Sequence, residues 1–159
     1  MGTHFKGSKK ETTALDTYIK FMRAAGSLNS RIKLSLSKSG LTESQFNALD
    51  ALYHLGPLSQ KDLTKKLLKS GGNITMVIDN LEKRGYVKRR RERKDRRFYF
   101  VHLTAAGKKQ VVNILPARVN EIMKEISSLS EDEQIELQRL CKKLGLNTNS
   151  GFIFLNKCR

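Results

Sequence analysis

The sequence predicts a mainly α-helical fold with one small β-hairpin. Three observations lead there. Apolar residues recur at helical spacing through most of the 159 residues. The period changes to alternation only in two short runs between Tyr86 and Leu103. Helix-start signatures of the Ser/Thr-x-x-Glu/Gln kind punctuate the remainder.

Leu15, Tyr18, Ile19, Met22, Ala25, Ile32 and Leu36 mark a long first helix over about 12–38, ended by Ser39-Gly40. Residues 1–11, polar and basic with interspersed glycine, read as a flexible arm. Thr42 and Gln45 form a capping box that opens a second helix, whose stripe is Phe46, Leu49, Leu52 and Tyr53 and whose stop is Gly56-Pro57. Ser59, with Asp62 three residues on and Leu58 and Leu63 as a hydrophobic staple, starts a short third helix over about 59–67. Ser70-Gly71-Gly72-Asn73 is expected to be a tight turn, with Asn73 capping a fourth helix. In that helix Ile74, Val77, Ile78 and Leu81 fall on one face, and Gly85 ends it.

Tyr86–Arg90 and Phe98–Leu103 then read as two strands around a polar tip, Arg91 to Arg97, with Phe98 and Phe100 expected to face inward. Thr104 caps a long helical region with the stripe Val111, Leu115, Val119, Ile122 and Ile126, in which Pro116 should bend or break the helix. Ser130 and Glu133 are a further capping box, starting a last helix with Leu137, Leu140, Cys141 and Leu144 on one face. Cys141 reads there as a small core residue. The tail, 147–159, carries an apolar patch at Phe152–Leu155 and no assigned structure.

Charge narrows the partner. Lys and Arg total 31 against 15 Asp and Glu, a formal charge of +16, which calls for a polyanion. No run approaches the roughly 18 apolar residues of a membrane span, and no signal-peptide pattern opens the chain. Two cysteines do not make a disulfide framework, so the expected compartment is the cytoplasm, with nucleoid association when DNA is bound. An enzyme would need converging acids, bases or nucleophiles. Here the carboxylates sit in helix caps, the three histidines are scattered, and no metal or cofactor site emerges.

Two helices joined by a glycine turn and followed by a basic two-stranded ribbon compose a winged helix-turn-helix. A recognition helix needs an apolar face to hold it and a polar face to enter the major groove. Ile74, Val77, Ile78 and Leu81 supply the first; Thr75, Met76, Asp79, Asn80 and Lys83, with Asn73 at the leading end, supply the second. Threonine and asparagine can bond base edges, methionine can touch a thymine methyl, and Lys83 can reach phosphate. The same face could equally be that of an ordinary solvated amphipathic helix. The hairpin shifts the balance toward DNA, because it directly follows the helix-turn-helix where a wing must lie, although a charge run is usually a solvated face. From Lys88 to Arg97 there are eight basic residues against Glu92 and Asp95, a density that calls for a polyanion to neutralise it. Arg89, Arg91, Arg93, Lys94, Arg96 and Arg97 are the candidate wing contacts.

The runs Leu41-Thr42 through Phe46-x-x-Leu49, Gly56-x-Leu58-Ser59, Gly72-Asn73-Ile74-Thr75 and Leu81-Glu82-Lys83-Arg84-Gly85-Tyr86-Val87 resemble the MarR family of transcriptional regulators. The most specific match is Asp95-Arg96-Arg97 leading into Val101-His102-Leu103-Thr104-x-x-Gly107, similar to the family's wing signature. The resemblance implies a two-fold dimer with an intertwined helical dimerisation domain, here 12–40 and 107–146, around a winged DNA-binding domain, here 41–106. It implies that Arg97 enters the minor groove and that Asp95 fixes the wing. It also implies small aromatic anions as effectors, with no residues assigned to hold them. The family's oxidant-sensing cysteine of the first helix is absent, since the first cysteine is Cys141. The expected function is that of a sequence-specific repressor, binding a palindromic operator in double-stranded DNA as a homodimer and released by a small ligand. The alternative is a sequence-nonspecific architectural binder, which would explain the charge but not the distinct base-reading face.

Overall fold

The structure, a computed structural model, describes residues 4–32, 36, 38–67, 71–91 and 99–146. Its elements are α1 (Lys9–Arg31), α2 (Glu43–Leu55), β1 (Leu58–Ser59), α3 (Gln60–Leu67), α4 (Gly71–Lys83), β2 (Val87–Arg91), β3 (Tyr99–Leu103), α5 (Ala105–Ile126) and α6 (Glu131–Gly145).

Helix α1 starts earlier than its apolar period suggests. Ser8 and Glu11 form a capping box, the Ser8 amide donating to the Glu11 carboxylate at 2.8 Å. The hydroxyl and amide of Ser8 hold the Glu11 carboxyl below its usual range. Lys9, Lys10 and Glu11, expected in the arm, are therefore the first turn of α1. The helix also ends sooner than 38, at Arg31. The buried Arg118 of α5 donates to the Ile32 carbonyl there, satisfying a group that a helix end leaves open. A side chain 86 positions away leaves no trace in local periodicity.

The boxes expected at Thr42–Gln45 and Ser130–Glu133 both form, and Thr104 accepts from the Gly107 amide at 3.0 Å. Ser59 accepts from the Asp62 amide at 3.1 Å, although Ser59 itself belongs to β1. Asn73 is not a cap: α4 begins at Gly71, since glycine adopts helical angles as freely as turn angles. Gly85 ends α4 with φ +71°, its amide bonding the Glu82 carbonyl and the Tyr86 amide the Leu81 carbonyl. Helix α5 runs through Pro116 unbroken, so of the expected bend or break the break does not occur. Burial of Val111, Ile114 and Arg118 along its inner face offsets the missing amide bond.

The sheet is antiparallel with order β1-β3-β2, Val87 pairing with Leu103 and Arg91 with Tyr99. β1, pairing Leu58 with Val101, is too short to show a period and is an element the sequence reading lacks. Val87 and Val101 turn into the core, which sets Phe100 on the other face, half-buried rather than inward. Phe98 lies outside the described residues.

The core comprises Leu36, Leu41, Phe46, Leu49, Leu52, Leu63, Ile74, Ile78, Leu81, Val87, Val101, Val111 and Ile114, with Ala48 between them. Apart from Leu36, it lies within the winged unit and the first half of α5. Neither α1 nor α6 buries a residue; Tyr18, Phe21 and Met22 of the one and Ile135, Leu140 and Leu144 of the other are exposed. Cys141 is exposed with them, not in this core. Among the described residues no helix is long and apolar enough to cross a membrane.

Candidate nucleic-acid interface

Helix α4 is seated by Ile74, Ile78 and Leu81, each essentially inaccessible, with Val77 half-buried beside them. The opposite face carries Asn73, Thr75, Met76, Asn80 and Lys83, all exposed, with Met76 at 58% accessibility. The structure thus brings these five candidates onto one surface.

Asp79 and Arg89, assigned by sequence to separate contacts with DNA, meet one another. The Arg89 guanidinium bonds the Asp79 carboxylate through Nη2 and the Glu82 carboxylate through Nη1, both at 2.5 Å, and the Arg89 amide donates to Glu82 at 2.8 Å. Partial burial would lower the Arg89 pKa, yet the hydrogen bonds and charges of Asp79 and Glu82 outweigh it and hold it above its ordinary value. A bidentate, permanently charged group on two carboxylates ties β2 to the outer flank of α4. The arrangement suits Arg89 to positioning the wing. It also neutralises acids that would otherwise face a polyanion.

Arg91 is exposed at the outer end of β2, where its Nε donates to the Tyr99 hydroxyl at 2.7 Å. Arg93, Lys94, Asp95, Arg96 and Arg97 of the hairpin tip lie outside the described residues. Sequence reasoning missed Glu82, Tyr99, Arg84 and Gln60. Arg84 donates to the Gly40 carbonyl at 2.7 Å and lies 5.0 Å from the centroid of the Tyr86 ring, fastening the end of α4 to the turn before α2. Gln60, the first residue of α3, donates to the Thr75 hydroxyl at 3.2 Å. A signal existed for Glu82: two acids three apart in so basic a region imply a bound cation. None existed for the others.

The profile of the MarR family matches residues 39–97. The chain is 34% identical to an uncharacterized HTH-type transcriptional regulator, YkoM of Bacillus subtilis, across 85% of this chain and 88% of that one. This chain belongs to the MarR family. A second relative, the HTH-type transcriptional regulator MhqR of Bacillus subtilis, is also 34% identical, across 84% of this chain and 92% of its own length. Among solved structures, a MarR family regulator from Streptomyces coelicolor, Sco3205 in complex with DNA, superimposes with a TM-score of 0.80 at 19% identity, covering 92% of both chains. As a MarR-family member the chain is a DNA-binding transcriptional regulator, and the family is one of regulators rather than enzymes.

Proposed function

We propose that this MarR-family chain is a repressor that binds a palindromic operator as a homodimer and is released by a small ligand. The observation that carries the reading is the division of α4, which is seated through the buried Ile74, Ile78 and Leu81 while Thr75, Met76 and Asn80 are solvent-exposed. In this reading Asn73, Thr75, Met76 and Asn80 meet base edges and Lys83 meets phosphate. Arg91, Arg93, Lys94, Arg96 and Arg97 form the wing contact, with Arg97 in the minor groove and Asp95 holding it. Arg89 and Asp79 support that surface from behind. The DNA-binding domain spans 41–106, and 107–146 with the first helix form the dimerisation region.

Selection of bound sites from random duplexes tests the reading. The chain should enrich a two-fold sequence; enrichment of none would favour the architectural binder. On the selected site, Thr75→Ala and Asn80→Ala should each relax preference at a base pair by about 1–3 kcal/mol. Lys83→Ala should weaken all sequences alike and make the salt dependence shallower.

The dimer is supported by the unburied apolar faces of α1 and α6, joined by Val119, Ile122 and Met123 of α5. So much exposed apolar surface is unusual for a chain that works alone. Sedimentation at micromolar concentration should give a two-chain species throughout, and a folded single chain there would refute the assembly.

A further inference from the structure

Gln60 stands outside the set of residues assigned to DNA, yet the fold places it against that set. Its position is well fastened. Ser59 donates to the Asp62 carboxylate at 2.6 Å, Thr64 donates to the Gln60 carbonyl at 2.8 Å, and Leu63 is fully buried beneath them. From this anchored helix start the Gln60 Nε2 crosses the corner between α3 and α4 to donate to Thr75 Oγ1. Thr75 is the fifth residue of α4, on the N-terminal half that recognition helixes turn toward base edges.

A glutamine amide carries two N–H donors and one carbonyl acceptor in a plane. With the N–H trans to Oε1 on Thr75, the plane of the amide is restrained, and the other N–H, cis to Oε1, shares its remaining edge with that oxygen. A donor beside an acceptor on one edge matches N7 and the N6 amino group of adenine in the major groove. Restraint before binding lowers the ordering cost that a free glutamine would carry.

We propose that Gln60 is a specificity-determining residue that reads one adenine in each half-site, with Thr75 as its positioning partner. The inference rests on the reading of α4 as the recognition helix. It adds a base contact from α3, the preceding helix, and it names the base.

The test starts from the two-fold site that the full-length chain selects from random duplexes. Each adenine of that site is replaced in turn by 7-deazaadenine, which has a C–H in place of N7. The wild-type protein should lose about tenfold in affinity at one adenine per half-site. Gln60→Ala should bind the unmodified site about tenfold more weakly and be indifferent to that replacement. Gln60→Glu, which accepts but does not donate, should move preference at that base pair from adenine to cytosine, whose N4 donates. A shift in preference compares bases on one protein, so a loosened fold cannot produce it. The inference is overturned if Gln60→Ala keeps every wild-type penalty. It is equally overturned if the wild type prefers guanine at that position, because an amide turned the other way presents two donors. If the wild-type chain selects no two-fold site, the reading of α4 fails and the role of Gln60 goes with it. A normal site with unchanged preferences in both variants removes the role of Gln60 alone.

Discussion

Gly107→Ala should destabilise the folded chain by about 3 kcal/mol, at the upper end of what overpacking does. The direction runs against helix propensity, since alanine in a helix interior is normally favoured over glycine by about 1 kcal/mol. Gly107 is buried in the first turn of α5. A Cβ there would overlap the Tyr86 carbonyl oxygen and stand 2.8 Å from Leu103 Cδ1 and 3.0 Å from the Tyr86 carbonyl carbon. Two of these are backbone atoms, and that carbonyl already accepts from the Thr104 amide at 3.0 Å and its hydroxyl at 3.1 Å. The start of α5 would have to lift from the strand it caps. Denaturant midpoints of the two proteins check this, and an equal or higher midpoint for the alanine variant contradicts the close approach.

Arg89→Ala should weaken binding to the selected operator by about tenfold, the middle of the range for coupled residues of one salt-bridge network. Lys83→Ala, an exposed single charge, should lose far less. The loss has two sources: the wing is released from α4, and Asp79 and Glu82 are left to face phosphate unneutralised. A triple variant, Arg89→Ala with Asp79→Asn and Glu82→Gln, separates them. Its net charge exceeds that of the wild type by one, because one positive and two negative groups are removed. It should bind random duplex as well as the wild type does, yet stay weaker on the operator. Full recovery on the operator would mean that Arg89 only neutralises and does not position.

These two cases mark what was legible in the sequence. Gly107 was visible as part of a motif, but its reason was not, because the atom it avoids belongs to Tyr86 on the far side of the hairpin. The boxes at Thr42 and Ser130 are four-residue signals and were readable in full. Ser8 and Glu11 are the same signal, hidden within a run whose polar composition suggested an arm. The face of α4 was readable because its period is local. The union of Arg89 with Asp79 and Glu82 was not, since it depends on how β2 leaves Gly85 and folds back along the helix. β1 has two residues and exists only through its pairing with β3. Arg118, with its link to Ile32, has no counterpart in any period.

The passage from α1 to α2 is braced at both ends. Arg118 grips Ile32 and lies 3.7 Å from the Glu43 carboxylate, while Arg84 holds the carbonyl of Gly40. The first arginine comes from α5 and the second from the end of α4. Two arginines from different elements thus hold the two sides of this passage. Because Arg118 also faces Glu43 at the start of α2, one guanidinium touches both the end of the helix before the passage and the start of the helix after it. Replacing Arg118 by alanine should therefore release both of those contacts at once, whereas replacing Arg84 should release the turn before α2 and leave them in place.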